Sequence, residues 1–541
     1  MYRVALTESL FRACPSEPVG QMTIGDMLRG QARAHGDRLA LQELDERGEP
    51  GRTWTYEQLL ADSERLARAL AHRHAPDERI AVFANNLPEW ALLEFAAALA
   101  GVTLVTVNPA YQESELRYVL EQSRAVAIYC VNEFRGNPIA QIAESASANL
   151  PTVRNLILLT DHEALYAGDE LGVLPLVAPD DVAQIQYTSG TTGSPKGALL
   201  HHHGLVKNSR DSMARLGVGP GDVYLHNMPL FHTTGCAVLM LGVIGAGATL
   251  LLAPRFDPAM LVKVIERDRP GFLLCVPTML VALAEEAKAS GGDMSSVRRI
   301  LCGGAMVAPD LVSQAQAIFG ATVQVVYGQT ECSPLITQSW TDDSIDDLTL
   351  TIGQPMPDMD VAILDLASGA VVPVGEQGEI CTRGYHVMTG YNENPAATAV
   401  AIDADHWLHT GDLGRMDSRG YVAITGRLKE MIIRGGENLF PAEIENAMLE
   451  HGSVGEVAVV GVPCPIYGEE VVCFMRPSGS ERPKSPELKA FIRQRLSPQK
   501  TPKHWIWVEQ WPMTGSGKIQ KFELARQFER GFYRLAEESV G

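Results

Sequence analysis

The stretch Tyr187-Thr-Ser-Gly-Thr-Thr-Gly-Ser-Pro-Lys-Gly197 decides how the rest of this chain is read. It continues the apolar run AQIQ, which reads as a buried strand. It carries hydroxyls at Thr188, Ser189, Thr191, Thr192 and Ser194, glycines at Gly190, Gly193 and Gly197, and a cation at Lys196. Glycines let the backbone approach an anion, so amides and hydroxyls can wrap phosphate oxygens. Lys196 can add a point charge to a polyphosphate. The GxxxxGK[ST] spacing of a P-loop is absent. A plain Ser/Gly turn would use the same residue types, so the loop alone leaves both readings open.

Outward from this loop the chain alternates between helical and strand patterns. WTYEQLLADSERLARALAHR (54–73) has apolar residues at helical spacing, and ERIAVFANN (78–86) reads as a strand. PEWALLEFAAALAGVTLVTVNP (88–109) and ELRYVLEQSRAVAIYC (115–130) repeat the order helix then strand. Such alternation predicts a parallel sheet covered on both faces. After the loop come GATLLLA, GFLLCVP, VRRILCGG and TVQVVYG, each closed by Gly, Pro or a polar turn. In open α/β sheets ligands bind beyond the carboxyl ends of such strands. Past Trp340 the runs MDVAILDLASG, GEQGEICTRG and RGYVAITG predict a small antiparallel sheet. A boundary is expected near 427–429, and the remainder is again mixed helix and strand. The expected domains are 1–428 and 429–541.

Length and composition fit this picture. At about 150 residues per domain, 541 residues predict three to four domains or subdomains. The net charge of −20 repels phosphate backbones, so nucleic acid is not expected as a partner. Nine scattered cysteines without a CxxC pair argue against a disulfide framework or a zinc site and fit a reducing cytoplasm. The N-terminus has no secretory pattern. Gly235–Pro254 (GCAVLMLGVIGAGATLLLAP) is uncharged and long enough to suggest a membrane span. Its internal glycines and non-basic flanks favour a buried helix, a turn and a strand, so no transmembrane segment is expected. His201, His202 and His203 are adjacent, and adjacent residues on a helix point apart, so they read as a polar segment and not as a chelate.

Further blocks extend the loop's signal: Met228-Pro-Leu-Phe-His232, Cys302-Gly-Gly-Ala305, Tyr327-Gly-Gln-Thr-Glu331, His409-Thr-Gly-Asp412, Gly426-Arg-Leu-Lys429, Ile433-Arg-Gly-Gly-Glu-Asn438 and Pro512-Met-Thr-Gly-Ser-Gly-Lys518. Each has a physical reading of its own. An aromatic ring at Tyr327 can stack on a purine, and a carboxylate at Glu331 beside phosphates can hold Mg²⁺. Gly303 and Gly304 suit either a flat ligand or an ordinary left-handed turn. Asp412 can accept two ribose hydroxyls, or can simply belong to a turn. His232 on an apolar segment can be a satisfied core residue. Lys518 in a Gly-flanked loop can be an ordinary exposed lysine.

Together, in this order and over about residues 50–525, the blocks resemble the adenylate-forming superfamily of acyl-CoA synthetases, adenylation domains and luciferases. The resemblance implies a large N-terminal domain of parallel α/β subdomains with a small β subdomain, then a small mobile α+β domain hinged at Lys429. It implies ATP, Mg²⁺ and coenzyme A as cofactors and a small carboxylic acid as substrate. Thr188, Ser189, Gly190, Thr191, Thr192, Gly193 and Lys196 would cradle phosphate. Gly303, Gly304, Ala305, Tyr327, Gly328, Gln329 and Thr330 would meet the nucleotide, Asp412 and Arg427 the ribose, and Glu331 the metal. Gly436 would line a pantetheine tunnel. Thr188, Glu331, His232 and Lys518 form the implied catalytic set, with Lys518 the adenylation lysine.

His232 stands where amino-acid-activating relatives carry an acid, which implies a plain carboxylic acid. Medium- or long-chain fatty acids are the expected substrates. Aryl or polycyclic acids, or loading of a carrier protein in place of CoA, are the alternatives within enzymes. A nucleotide-binding protein without turnover is the rival from another class, and the presence of Lys518 and Glu331 speaks against it. The resemblance admits a homodimer, but the residues do not fix an oligomeric state.

Overall fold

The computed structural model describes residues 1–15, 20–168, 173–188, 195–305, 307, 309–435, 437–513 and 519–533, with backbone alone at Asp310 and Asn438. By internal contacts the chain divides into two units. The first comprises Met1–Val4, Leu10–Val361 and Cys381–His409, and the second Ala5–Ser9, Ala362–Ile380 and Thr410–Gly541.

Two sheets form the core of the first unit, and both have parallel interiors. In the seven-stranded sheet, Arg79–Phe83 lies between Thr103–Val107 and Ala127–Cys130, and Val182–Thr188 pairs on the far side of Thr103–Val107, all parallel. Lys196–His201 and Gly390–Tyr391 then close that edge antiparallel. In the nine-stranded sheet, Thr322–Gly328, Arg299–Gly303, Phe272–Cys275 and Val223–His226 are parallel neighbours. Their carboxyl ends therefore share one edge, where the motif residues following these strands begin.

The helices form where the apolar spacing predicts them. Tyr56–Arg73 opens with a reciprocal box in which Thr55 Oγ1 accepts from the Gln58 amide and the Gln58 side chain accepts from the Thr55 amide. Pro88–Ala100 is buried on every face and ends at Gly101 with φ +67°, a left-handed position suited to glycine. A helix buried all round, with only Glu89 and Glu94 charged, belongs between a sheet and other helices.

The uncharged run around Gly235–Pro254 breaks up as the glycines predict, with one difference. Its first turns, Thr234–Leu241, form a π-helix, followed by an α-turn at Gly242–Gly245 and the strand Thr249–Leu252. Among the described residues no helix is long and apolar enough to cross a membrane.

In the second unit Val454–Cys464 and Gly468–Pro477 form a long antiparallel hairpin, and His504–Trp507 joins it in parallel. Alternation sorts its residues by face. Val459, Val471 and Cys473 pack with Ile444, Met448, Leu488 and Ile492, whereas Ala458, Val460, Val472 and Phe474 pack with Leu524. Helices Pro441–Leu449 and Lys521–Glu529 thus sit on opposite faces of one sheet. Asp412–Met416 pairs antiparallel with Val422–Arg427 in a separate small sheet. All nine cysteines are free, and all but Cys14 and Cys464 are buried.

Candidate active site

The strands on either side of the candidate phosphate loop pair antiparallel. Val182–Thr188 runs into it, Lys196–His201 leaves it, and Thr188 faces Lys196 across the ladder. Thr188 Oγ1 reaches the Lys196 carbonyl at 3.5 Å. Ser189, Gly190, Thr191, Thr192 and Gly193 lie outside the described residues, as do Gly436 and Lys518.

Tyr391 joins the two ends of the candidate phosphate site. Its ring lies under Lys196, with Nζ 4.9 Å from the centroid. Its hydroxyl donates to Glu331 Oε1 at 2.7 Å. Burial, then the Glu331 charge, pushes the Tyr391 phenol well above its ordinary range, so it stays a neutral donor. Glu331 is buried, in the short 3₁₀ turn Thr330–Cys332 beyond the strand Thr322–Gly328. Among the described residues Glu331 makes no salt bridge, and Lys196 makes none either. A buried carboxylate with a phenol donor, near a cation that forms no salt bridge among the described residues, suits a divalent cation bound to phosphate. Glu331 would hold that ion, which would supply charge neutralisation on the phosphates.

Two glycines at the strand ends are required by packing and a third by its backbone conformation. A Cβ at Gly303 would lie 2.5 Å from the Val326 carbonyl, and one at Gly328 would lie 2.0 Å from that of Pro334. Gly304 has φ +82°. The turn reading therefore accounts for these residues without any ligand, while Gly304 and Ala305 stay exposed at the strand end. The Tyr327 ring is 8% exposed, and Gln329 and Thr330 are half-buried.

His232 follows the strand Val223–His226 by a loop that Asn86 clamps. The Asn86 amide donates to the Met228 and Ala253 carbonyls, and its Oδ1 accepts from the Leu230 amide at 2.8 Å. His232 Nδ1 accepts from the Thr234 amide at 3.2 Å. That bond puts the ring proton of the neutral imidazole on Nε2 and makes Nε2 a donor. Gly235 permits the fold-back, because a Cβ there would lie 2.0 Å from the Pro229 carbonyl. Neither Asn86 nor Tyr391 stands out in sequence. An asparagine after a strand is an ordinary loop residue, and Gly390-Tyr391 lies 60 positions from Glu331.

The three histidines separate as their adjacency requires, although they are less polar in setting than expected. His201 caps the helix His202–Leu216, buried His202 accepts from the Ile24 amide at 3.4 Å, and the His203 ring packs on Tyr385. Burial pushes His202 down to about 4, so it is neutral.

Within the second unit, Asp412 and Arg427 face each other across paired strands, joined by an ion pair of 2.7 Å. The Thr410–Asp412 segment is not the expected turn. It lies inside the strand Leu408–Met416, kinked at Gly411 with φ +74°, and Glu379 Oε1 accepts the Gly411 amide. Asp412 is buried and Arg427 exposed. Lys429 is exposed in the turn Leu428–Glu430. Next to it, Glu430 pairs with Lys521, which also pairs with Glu445.

The family model for AMP-binding enzymes matches residues 28–392, and the model for their C-terminal domain matches residues 443–518. The chain belongs to the AMP-binding enzyme family. It is similar to the human mitochondrial medium-chain acyl-CoA ligase ACSF2, 34% identical over 96% of this chain and 90% of that protein. It is equally similar to acyl-CoA ligase sidI of Beauveria bassiana, 34% identical over 96% of this chain and 94% of that one. Among solved structures, ATP-bound MatB from Rhodopseudomonas palustris superposes with a TM-score of 0.83 at 28% identity, covering 94% of this chain and all of MatB. This AMP-binding enzyme is accordingly a ligase of the adenylate-forming superfamily, with the superfamily's large α/β part and smaller C-terminal part. ATP use goes with the family.

Proposed function

We propose that the protein activates a hydrophobic carboxylic acid, a medium- or long-chain fatty acid, and transfers the acyl group to coenzyme A. The observation that carries the substrate reading is His232. Its Nδ1 is held by the Thr234 amide, so Nε2–H can donate to a carboxylate. Behind it, residues Gly235–Leu241 of the π-helix are buried, and none of them is charged. The ACSF2 relative, named for medium-chain acids, supports the same reading.

In the first half-reaction a carboxylate oxygen attacks the α-phosphorus of ATP and pyrophosphate leaves. Lys196 would meet phosphate charge, Glu331 would hold Mg²⁺, which would supply charge neutralisation, and Lys518 would neutralise the attacking and leaving oxygens. In the second, the thiol of CoA attacks the acyl carbon, its proton is lost, and AMP departs. Domains 1–428 and 429–541 would rotate about Lys429 between the two steps, replacing Lys518 with the Gly436 segment. The family models leave Lys429 in the interval between them, which supports this division. A reducing compartment such as the cytoplasm suits the nine free thiols.

ATP–pyrophosphate exchange across a panel of acids, with and without CoA, tests the reading. Each buried methylene contributes about 0.8 kcal/mol, so kcat/KM should rise up to roughly fourfold per methylene until the pocket is full. A flat response with brisk exchange on aryl acids would replace the fatty acid by a ring. Exchange with amino acids alone would overturn the reading of His232.

A further inference from the structure

We propose that Tyr391 is a positioning residue for the metal, holding Glu331 through its hydroxyl so that the carboxylate is set before the divalent cation arrives. This rests on the reading of Glu331 as the metal ligand. Residues 388–391 hold Glu331 twice: the Met388 amide donates to the Glu331 carbonyl at 2.8 Å, and the Tyr391 hydroxyl donates to Oε1 at 2.7 Å. One contact places the backbone of the turn and the other orients the carboxylate.

Tyr391 is itself fixed to the phosphate hairpin. It pairs with Ala198 across the ladder, and its amide donates to Thr398 Oγ1 at 2.9 Å. The next residue, Asn392, donates its amide to the Gly197 carbonyl at 2.8 Å and its side chain to the Gln122 carbonyl at 2.7 Å. Gln122 Oε1 in turn accepts from Tyr187, at the start of the phosphate loop. The short strand Gly390–Tyr391 therefore registers the Glu331 turn, on the nine-stranded sheet, against the hairpin on the seven-stranded one. A glutamate has three rotatable bonds to freeze when it binds a metal. A carboxylate already held by a phenol, on a backbone already tied to the phosphate loop, has lost much of that freedom beforehand. Lys196 over the same ring keeps the phosphate cation in the same frame.

Tyr391→Phe keeps the ring and removes only the hydroxyl. Binding of Mn²⁺, read by its paramagnetic resonance signal in the presence of a non-hydrolysable ATP analogue, should weaken about tenfold, the size of one charge-assisted hydrogen bond. Analogue binding in excess chelator should stay within twofold of wild type. Glu331→Gln is the reference, and adding Tyr391→Phe to it should change Mn²⁺ binding no further. If Glu331→Gln leaves Mn²⁺ binding intact, the metal reading itself fails, whatever Tyr391 does. If Glu331→Gln weakens it and Tyr391→Phe matches wild type, or if the two losses simply add, Tyr391 does not act through Glu331.

Discussion

His232 and Glu94 show how single side chains are tuned by what they meet. With Nδ1 accepting from the Thr234 amide, Nε2–H is the atom that the proposed function assigns to the substrate carboxylate. A hydrogen bond to a charged group contributes about 1.5–3 kcal/mol. His232→Ala should therefore lower kcat/KM for the acid by about ten- to a hundredfold while the KM for ATP stays put. Steady-state kinetics with each substrate varied separates the two, and an equal rise in both KM values would argue for general disorder of the site.

Glu94 sits on the fully buried helix Pro88–Ala100, where Oε1 accepts from Gln184 and Oε2 has no partner. Burial pushes its carboxyl well above the ordinary range. The unfolded chain ionises Glu94 from about pH 4.3, whereas burial makes the folded one hold the proton to higher pH. Its contribution to stability is thus whole below that pH and declines as pH rises, by up to about 1.4 kcal/mol per unit. Glu94→Gln removes the ionisation and keeps the shape. Urea unfolding from pH 5 to pH 8 should show the variant gaining on wild type as pH rises, and parallel curves would mean that Glu94 titrates normally.

Elements follow from pattern wherever period and punctuation agree. Thr55 with Gln58, Gly101 and the apolar tails of the parallel strands are local signals, and each produces the element it predicts. The π-helix Thr234–Leu241 could not be read this way, because a wholly apolar run carries no phase to separate one helical period from another. Its function-bearing end is set by Gly235, which must pass the Pro229 carbonyl. Gly235→Ala should cost at least about 2 kcal/mol and raise the KM for the acid, because the chain can yield only by moving His232. Unfolding and kinetics on the same preparation check this, and wild-type values in both would show that the loop relaxes freely. The motifs single out Lys196, Glu331 and His232 as candidates, and Thr234 lies two residues from His232, but Tyr391 on Glu331 and Asn86 on the loop before His232 come from contact between distant segments, which no local spacing encodes.

For the molecule as a whole, the prediction concerns division of labour. In the proposed cycle Lys518, within the stretch matched by the C-terminal family model, would serve the first half-reaction only. Lys518→Ala should abolish pyrophosphate exchange, a loss in kcat more than in binding. Thioester formation from supplied acyl-adenylate and CoA should survive. Equal loss of both half-reactions would mean that one arrangement serves both steps.

The cysteines lend that question a tool. Cys14 lies in the first unit and Cys464 in the second, and they are the two thiols not buried. Burial pushes the Cys14 thiol up, so it attacks maleimides sluggishly and the two sites can be dyed in turn. The native chain therefore comes with a donor and an acceptor position, and energy transfer between two fluorophores would report the proposed rotation without a single engineered residue.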